Sequence, residues 1–158
     1  VANYREAYGI FACTGILFNH ESALRPKRFV TQKIIHGALS IHKGEANELQ
    51  LGCLDIIRDW GCAEEYVVAM WKMLQQVEPQ DFVISTGKSY SLREFVFHAF
   101  NLLDLNWENY VHCNDNFMRP SEIMVSVSDP KKAATELGWK ARKSMFEVIE
   151  NMMSSAQR

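Results

Sequence analysis

Apolar residues follow two different spacings along this chain, and together they predict alternating helices and strands. Ile10–Phe18 is a nearly continuous apolar run, the pattern of a strand buried on both faces of a parallel sheet. The preceding stretch, VANYREAYG, has the composition of a helix end closed by Gly9. Further along, apolar residues recur at helical spacing up to Gly44: Val30, Ile34, Ala38 and Ile41. This alternation predicts an α/β fold.

The same alternation continues to the end of the chain. LQLGCLD and DFVISTG are predicted as strands; Gly52 in the first indicates a bulge or a close backbone approach, and Gly87 ends the second. Between them, the segment AEEYVVAMWKMLQQ is predicted as a helix with an apolar stripe formed by four residues: Val67, Met70, Trp71 and Leu74.

Helix-start signals mark the last three predicted helices. Ser91–Glu94 matches a capping box, and Ser144 with Glu147 repeats it. Asp129 is the expected N-cap of the helix between them, and Gly138 lies just past its end. No internal repeat or low-complexity linker interrupts the pattern.

Composition narrows the class of protein. With 158 residues and 47% hydrophobic content, the chain can bury a core of one domain or a large part of one. Its net charge of -2 includes no long basic run, which argues against nucleic-acid or membrane-surface binding but not against anionic small molecules. No segment has the length of a membrane-spanning helix, and no signal peptide opens the chain. The cysteines form no C-x-x-C pair, so a soluble protein of the reducing cytoplasm is expected: Cys13, Cys53, Cys62 and Cys113.

Polar residues directly follow the first apolar run: Asn19, His20, Glu21 and Ser22. In open α/β sheets, ligands bind in the crevice at the carboxyl ends of the strands, so these side chains are candidates for a binding site. The same residue types commonly cap and satisfy an ordinary loop. Position alone leaves both interpretations open.

Three other polar positions carry weaker signals. Arg58 precedes a predicted helix and could bind a phosphate, or it could form a surface pair with Asp59. Arg119 and Glu122 could contact a ligand, or they could form a salt bridge with each other. Lys33 lies at the edge of an apolar helix face and could equally be a solvated lysine.

Metal and nucleophile chemistry have little support. The histidines lack the spacing of metal ligands, so no metal site is predicted: His36, His42, His98 and His112. No G-x-S-x-G elbow and no local signature of a catalytic cysteine is present.

Several segments in matching order resemble the C-terminal half of the GDP-mannose 4,6-dehydratase family: GILFNHES, FVTQKI, LQLGCLDIIRDWG, PQDFVISTG, RPSE and DPKKAATELGW. This family belongs to the extended short-chain dehydrogenases/reductases. The resemblance implies terminal Rossmann elements at about 1–28 and 54–103. They would be interleaved with a smaller α/β sugar-nucleotide-binding domain at about 29–53 and 104–158. It also implies conversion of GDP-mannose to GDP-4-keto-6-deoxymannose, in which NADP takes a hydride from C4, water is eliminated across C5 and C6, and the hydride returns to C6.

The catalytic signatures of that family are missing from this sequence. No G-x-G-x-x-G fingerprint occurs, and none of the five tyrosines has a lysine four residues on. The family's Tyr-x-x-x-Lys pair would lie just before VANYREAY, so the NADP-binding N-terminal half is expected to be absent. The resemblance therefore assigns no catalytic residue to this chain, and we expect the isolated chain to be inactive.

The resemblance also implies binding residues. His20 and Arg25 match the family's contacts to NADP. Five residues match its contacts to the GDP-sugar: Asn19, Lys33, Arg58, Arg119 and Glu122. One loop departs from the family pattern, because NHESALRP replaces the usual NHESPRRG and puts Leu24 and Pro26 in place of an arginine and a glycine. The family implies a homo-oligomer, a dimer or tetramer. We expect the change in this loop to affect both the retention of the cofactor and the interface of that oligomer.

Three functions fit these observations. The chain could be the substrate-binding part of an active dehydratase that acts on GDP-mannose. It could instead be a non-catalytic remnant that acts as a binding or interaction module, which the substitutions at Leu24 and Pro26 favour. Finally, it could be part of a related epimerase or dehydratase that acts on another nucleotide sugar, with the same fold and a different nucleobase in its substrate.

Overall fold

A computed structural model describes residues 1–118 and 121–158 as an α/β fold. The helices are α1 (Ala2–Tyr8), α2 (Val30–His42), α3 (Ala63–Met73), α4 (Leu92–Asn101), α5 (Lys131–Glu136) and α6 (Met145–Ala156). The strands are β1 (Gly15–Leu17), β2 (Asn19–Glu21), β3 (Leu49–Leu51), β4 (Ile57–Arg58), β5 (Trp60–Cys62), β6 (Phe82–Ile84), β7 (Tyr90–Ser91) and β8 (Val111–Cys113). Single 3-10 turns cover Trp107–Asn109 and Asp115–Phe117. No helix in these two ranges is long and apolar enough to cross a lipid bilayer.

The strands form pairs in which distant parts of the chain meet. β1 pairs with β6, β2 with β5 and β3 with β8, each in parallel, whereas β4 and β7 run antiparallel. The β2–β5 register places Asn19 opposite Trp60. A further parallel bridge joins Ile57 to Val125, so the segment that begins at residue 121 is attached beside β4. These pairings place that segment beside β4, which directly precedes β5, the partner of β2.

Two hydrophobic clusters form the core of the described residues. The larger one contains the apolar faces of α2, α4 and α6 together with β3 and β5, and Trp60, Phe95 and Ile149 are buried in it. The smaller one joins α3, β6 and α5 around Tyr66 and Trp139, whose rings meet edge to face at 5.8 Å. Burying one large apolar side chain contributes about 1.5–3 kcal/mol. The larger cluster therefore stabilises the packing of α2, α4 and α6 against β3 and β5.

Most local signals in the sequence are confirmed. The apolar spacing before Gly44 corresponds to α2, and both predicted capping boxes form, at Ser91 and at Ser144. The Asp129 carboxylate accepts a hydrogen bond from the N–H of Lys131, although the N-cap position itself is Pro130. Gly138 follows α5 with a φ of 56°, a left-handed conformation that glycine adopts without strain.

The close backbone approach predicted at Gly52 is also present. A Cβ at this position would lie 2.6 Å from the carbonyl oxygen of Phe117. Glycine is therefore required here because any side chain would collide with the backbone of the Asp115–Phe117 turn. The contact fixes this turn next to the end of β3.

The prediction of a long strand buried on both faces at Ile10–Phe18 is wrong. The strand covers only Gly15–Leu17, and Ile10, Phe11 and Ile16 are 47%, 44% and 53% exposed. The physical reason is that β1 pairs with β6 on one side only among the described residues, so half of the apolar run has no neighbour to cover it.

The apolar stripe predicted for the third helix is wrong in its orientation. Its residues are exposed: Val67, Met70, Trp71 and Leu74. The buried face of α3 consists of Tyr66, Ala69 and Met73 instead. Both stripes have helical spacing, and the position of β6 and Trp139 decides which one packs inward.

Candidate functional site

Five of the seven predicted binding residues line one cavity of about 600 Å³: Asn19, Arg25, Lys33, Arg58 and Glu122. They come from β2, the loop after it, α2, β4 and the segment that begins at residue 121. The floor is apolar and belongs to the larger core cluster through Leu51, Trp60 and Leu92. The sixth predicted residue, Arg119, lies outside the described residues, and the seventh, His20, is placed elsewhere, as described below.

An ion pair joins two of these residues across the cavity. Nη2 of Arg58 donates to Oε1 of Glu122 at 2.8 Å, and the two side chains are only 14% and 22% exposed. Nη1 of Arg58 donates to the carbonyl oxygen of Ile57, also at 2.8 Å. The guanidinium is therefore held in place by strand and carboxylate, with its charge directed at the cavity. Glu122 thus has Arg58 as a partner, 64 residues away in sequence.

The alternative pairing of Arg58 with Asp59 is wrong. Asp59 is fully buried and accepts hydrogen bonds from the N–H groups of Thr86 and Gly87 and from Oγ of Ser128. Neighbouring residues of an extended chain point to opposite sides, which sends Arg58 to the cavity and Asp59 into the protein. Asp59 thereby ties the Arg58 segment to the loop after β6 and to residue 128.

Lys33 is not a freely solvated lysine. Its Nζ donates to the carbonyl oxygen of Gln50 at 2.6 Å and lies 3.8 Å above the ring centroid of Phe117. Partial burial lowers the pKa of its ammonium group, because desolvation disfavours the charged form. Lys33 thus combines a fixed position with a cavity-lining charge.

Arg25 shares its charge with a buried carboxylate. Its Nε lies 3.3 Å from Oε2 of Glu21, in a direction that makes no hydrogen bond among the described residues, and its guanidinium stacks 3.9 Å above Phe29. Oε2 of Glu21 accepts a hydrogen bond from Thr31 at 2.7 Å. Burial raises the pKa of Glu21, and the contacts with Thr31 and Arg25 oppose that rise.

His20 is separate from this group. Its ring stacks on Tyr66 with 4.9 Å between centroids, and its Nδ1 lies 2.8 Å from the carbonyl oxygen of Phe18. It is not among the described residues that line the cavity. The hydroxyl of Tyr66 is buried without a hydrogen-bond partner in the described part of the chain, and burial raises its pKa. The imidazole therefore belongs to the packing around α3.

Among the residues of the cavity lining that could contact a ligand, Arg28 and Phe117 were not found from the sequence. Arg28 is exposed and has no carboxylate within 4.0 Å in the ranges 1–118 and 121–158. Its spacing of three residues from Arg25 was the available signal, because a loop leading into a helix can present both side chains together. Phe117 gave no signal, since an aromatic residue in a loop is unremarkable by itself.

The charges of the cavity favour an anionic ligand. Four cationic side chains line it, Arg25, Arg28, Lys33 and Arg58, against the two described carboxylates, Glu21 and Glu122. Guanidinium and ammonium groups make charge-assisted hydrogen bonds to phosphate that are roughly twice as strong as neutral ones. A diphosphate would match the excess of two positive charges.

Comparisons with known proteins agree with the fold. The family model for GDP-mannose 4,6 dehydratase matches residues 1–152. GDP-mannose 4,6 dehydratase 2 of Arabidopsis thaliana is 47% identical over 151 residues, which are 96% of this chain and 40% of that protein. The chain thus spans less than half the length of this relative.

Solved structures share the fold at low sequence identity. The structure of RMD from Pseudomonas aeruginosa complexed with NADPH has a TM-score of 0.84 at 17% identity, covering 97% of this chain and 50% of that one. dTDP-glucose 4,6-dehydratase from Bacillus anthracis in complex with NAD has a TM-score of 0.84 at 14% identity, covering 98% and 47%. Both structures therefore share the α/β fold described above over about half of their own length. Because the family model covers nearly the whole sequence, this chain belongs to the GDP-mannose 4,6-dehydratase family.

Proposed function

We propose that this chain is the substrate-binding part of a GDP-mannose 4,6-dehydratase, which converts GDP-mannose to GDP-4-keto-6-deoxymannose and water with NADP as its cofactor. The observation that carries the proposal is the excess of cationic side chains around one cavity of about 600 Å³ in a member of this family. Ligand cavities typically measure about 300–1,000 Å³, so a sugar nucleotide is within range.

Four cavity residues have a chemical role in binding the sugar nucleotide in this proposal. Arg58 and Lys33 bind the diphosphate, because both present fixed positive charges to the cavity. Glu122 accepts hydrogen bonds from hydroxyl or amino groups of the nucleoside, and Asn19 donates to the sugar nucleotide from β2. Arg119 completes the proposed set, although it lies outside the described residues.

The chain can contribute only an edge of an NADP site. Of the two proposed cofactor contacts, Arg25 lines the cavity but is paired with Glu21, and His20 is stacked on Tyr66. These two residues do not by themselves fit a complete dinucleotide, and the sequence has no G-x-G-x-x-G loop to hold its diphosphate. We therefore assign to them a contact with one end of NADP and no step of the hydride transfer.

The proposal also covers the domain boundaries, the oligomeric state and the cellular location of the protein. Residues of about 1–28 and 54–103 belong to the Rossmann part and those of about 29–53 and 104–158 to the sugar-nucleotide part. The intact enzyme would be a homo-oligomer, a dimer or tetramer, in the cytoplasm. Leu24, which is exposed in the loop that departs from the family pattern, is a place where that interface would differ from the relatives.

Calorimetric titration with GDP tests the binding role. Arg58→Met removes a charge-assisted contact worth about 1.5–3 kcal/mol, so GDP affinity should fall about ten- to a hundredfold. Arg93→Met is the matched control, because Arg93 also forms an ion pair at 2.8 Å, with Asp55 away from the cavity, and GDP affinity should not change. An unliganded melting temperature that falls while GDP affinity holds would make Arg58 a structural residue. A wild-type chain that does not bind GDP would overturn the proposal.

Turnover tests whether catalysis depends on residues outside this chain. Without the Tyr-x-x-x-Lys pair the chain lacks the acid-base groups of the reaction, which typically contribute about a hundredfold or more. The purified chain should therefore bind GDP and form no keto-sugar from GDP-mannose. Keto-sugar formation by this chain alone would contradict the assignment of catalysis to residues outside it.

A further inference from the structure

Two cysteines lie at or near the cavity, and the proposed function gives neither of them a role. Cys53 is half-buried and lines the cavity, and Cys113 is exposed at the end of β8. The other two cysteines are placed differently, because Cys62 is buried and Sγ of Cys13 donates to the carbonyl oxygen of Met73 at 3.5 Å. Cys53 and Cys113 are therefore the candidates for reaction with a dissolved reagent.

The β3–β8 pairing brings these two thiols to the same end of two strands. Leu51 is the register partner of Cys113, and its carbonyl oxygen accepts a hydrogen bond from the N–H of Asn114 at 2.8 Å. Cys53 follows Leu51 by two residues. Strands lie about 4.8 Å apart and advance about 3.3 Å per residue, so the two cysteines are diagonal neighbours with Cα atoms about 8 Å apart.

Arg93 places a positive charge beside both sulfur atoms. Its N–H donates to the carbonyl oxygen of Leu54 at 2.9 Å and its Nη2 donates to Oδ1 of Asp55 at 2.8 Å, so the guanidinium lies along the chain that follows Cys53. The hydrogen bond with Asp55 raises the pKa of Arg93, and the neighbouring sulfur atoms of Cys113 and Cys53 raise it further. A cation close to a thiol stabilises the thiolate, which is the form that reacts with oxidants.

We propose that Cys53 and Cys113 are a redox-sensitive pair, which a hydroperoxide oxidises to a disulfide that weakens ligand binding in the cavity. The exposed thiol of Cys113 takes one oxygen from the peroxide to become a sulfenic acid, and the peroxide leaves as water. The thiol of Cys53 then displaces that oxygen as a second water, and the S–S bond forms. The two thiols lose two electrons and two protons in total, and one hydrogen peroxide is reduced to two waters. In a reducing cytoplasm such bonds are transient and often act as redox sensors.

The effect on the cavity follows from the movement that the bond requires. A disulfide holds its two Cα atoms about 4.4–6.8 Å apart, so the chain after β3 must shift by roughly 1–2 Å toward β8. Gly52 and Cys53 both line the cavity, and Gly52 already packs against the carbonyl oxygen of Phe117 without room for a Cβ. The shift therefore displaces one wall of the cavity. This effect on binding rests on the proposed function, whereas the disulfide itself does not.

Peptide mass mapping tests the pair. The reduced chain is treated with hydrogen peroxide, and the remaining thiols are blocked with iodoacetamide. We expect linked peptides that contain Cys53 and Cys113, two hydrogens lighter than the separate peptides and released by dithiothreitol. Cys113→Ser should form no such link, and Cys13→Ser is the matched control that should still form it. No link in the wild type, or links that join other cysteines, would overturn the proposal.

The rate of oxidation tests the part played by the cation. Arg93→Met should form the linked peptides several times more slowly than the wild type, because its side chain no longer stabilises a thiolate. An equal rate in both proteins would contradict the role of Arg93.

Calorimetric titration with GDP tests the consequence for binding. The affinity of the wild-type chain should fall about tenfold or more on oxidation and recover after dithiothreitol. A mapped disulfide that leaves GDP affinity unchanged would refute the effect on the cavity and leave the proposed function standing. A reduced wild-type chain that does not bind GDP would overturn the proposed function and the effect on binding together, and mass mapping would still decide whether the pair forms.

Discussion

The buried carboxylate of Asp59 should contribute more to stability than any surface ion pair of this chain. Three donors converge on it: the N–H of Thr86 at 3.1 Å, the N–H of Gly87 at 2.8 Å and Oγ of Ser128 at 3.0 Å. Each hydrogen bond to a charged group typically contributes about 1.5–3 kcal/mol. The donors of Thr86 and Gly87 are near the surface and can recover water, so the contributions will not add fully.

For Asp59→Ala we therefore expect the free energy of unfolding to fall by about 2–4 kcal/mol. Asp59→Asn should cost less, about 1–2 kcal/mol, because its amide oxygen can take the place of Oδ2, which accepts from all three donors. The amide NH₂ would then face the N–H of Thr86, which explains why the exchange is not neutral. Urea denaturation followed by circular dichroism measures both losses.

Asp55→Ala is the matched control for this experiment. Asp55 is 69% exposed and its ion pair with Arg93 is solvated, so its removal should cost about 1 kcal/mol or less. A loss for Asp59→Ala no larger than that of Asp55→Ala would refute the reasoning, and so would equal losses for the Ala and Asn variants of Asp59. In either case the buried carboxylate would not be the link between the Arg58 segment and the loop after β6.

Three further predictions concern the cavity. Arg28→Ala should weaken GDP binding about fivefold or more in calorimetry, whereas Lys27→Ala, outside the described lining, should not. Burial raises the folded-state pKa of Glu21 above 4.5, so the contribution of Glu21 to stability is fully present below that pH and is lost as pH rises through the folded-state pKa. In urea titrations, the unfolding free energy of the wild type should therefore fall relative to that of Glu21→Gln as pH rises over this range. Parallel pH profiles of the two proteins would contradict this. Gly52→Ala should destabilise the chain by about 1–3 kcal/mol in the same assay through its collision with Phe117, and an unchanged midpoint would exclude that contact.

The local parts of the fold could be predicted from sequence because their causes are local. A capping box satisfies backbone N–H groups within four residues, and Ser91 and Ser144 form theirs as predicted. The requirement for glycine at position 52 was also visible, although its partner was not. By contrast, the extent of β1 and the buried face of α3 depend on which elements cover them, and periodicity does not contain that information.

The pairing of charges shows why the candidate site needed the structure. Reading along the sequence, Arg58 has Asp59 beside it and Glu122 has Arg119 three residues before it, so near neighbours are the obvious partners. In an extended chain adjacent side chains point to opposite faces, and this rule alone disfavours an Arg58–Asp59 pair.

The alternation of side chains along an extended chain does not identify the partner of Arg58. The Ile57–Val125 bridge brings residues 121–126 beside β4, and in this arrangement the carboxylate of Glu122 lies 2.8 Å from Arg58. Phe117 was missed for the same reason, because a ring becomes part of a site when distant segments close around it. The composition of the cavity is therefore a property of the topology, and the roles proposed for its residues depend on the strand pairings that hold them together.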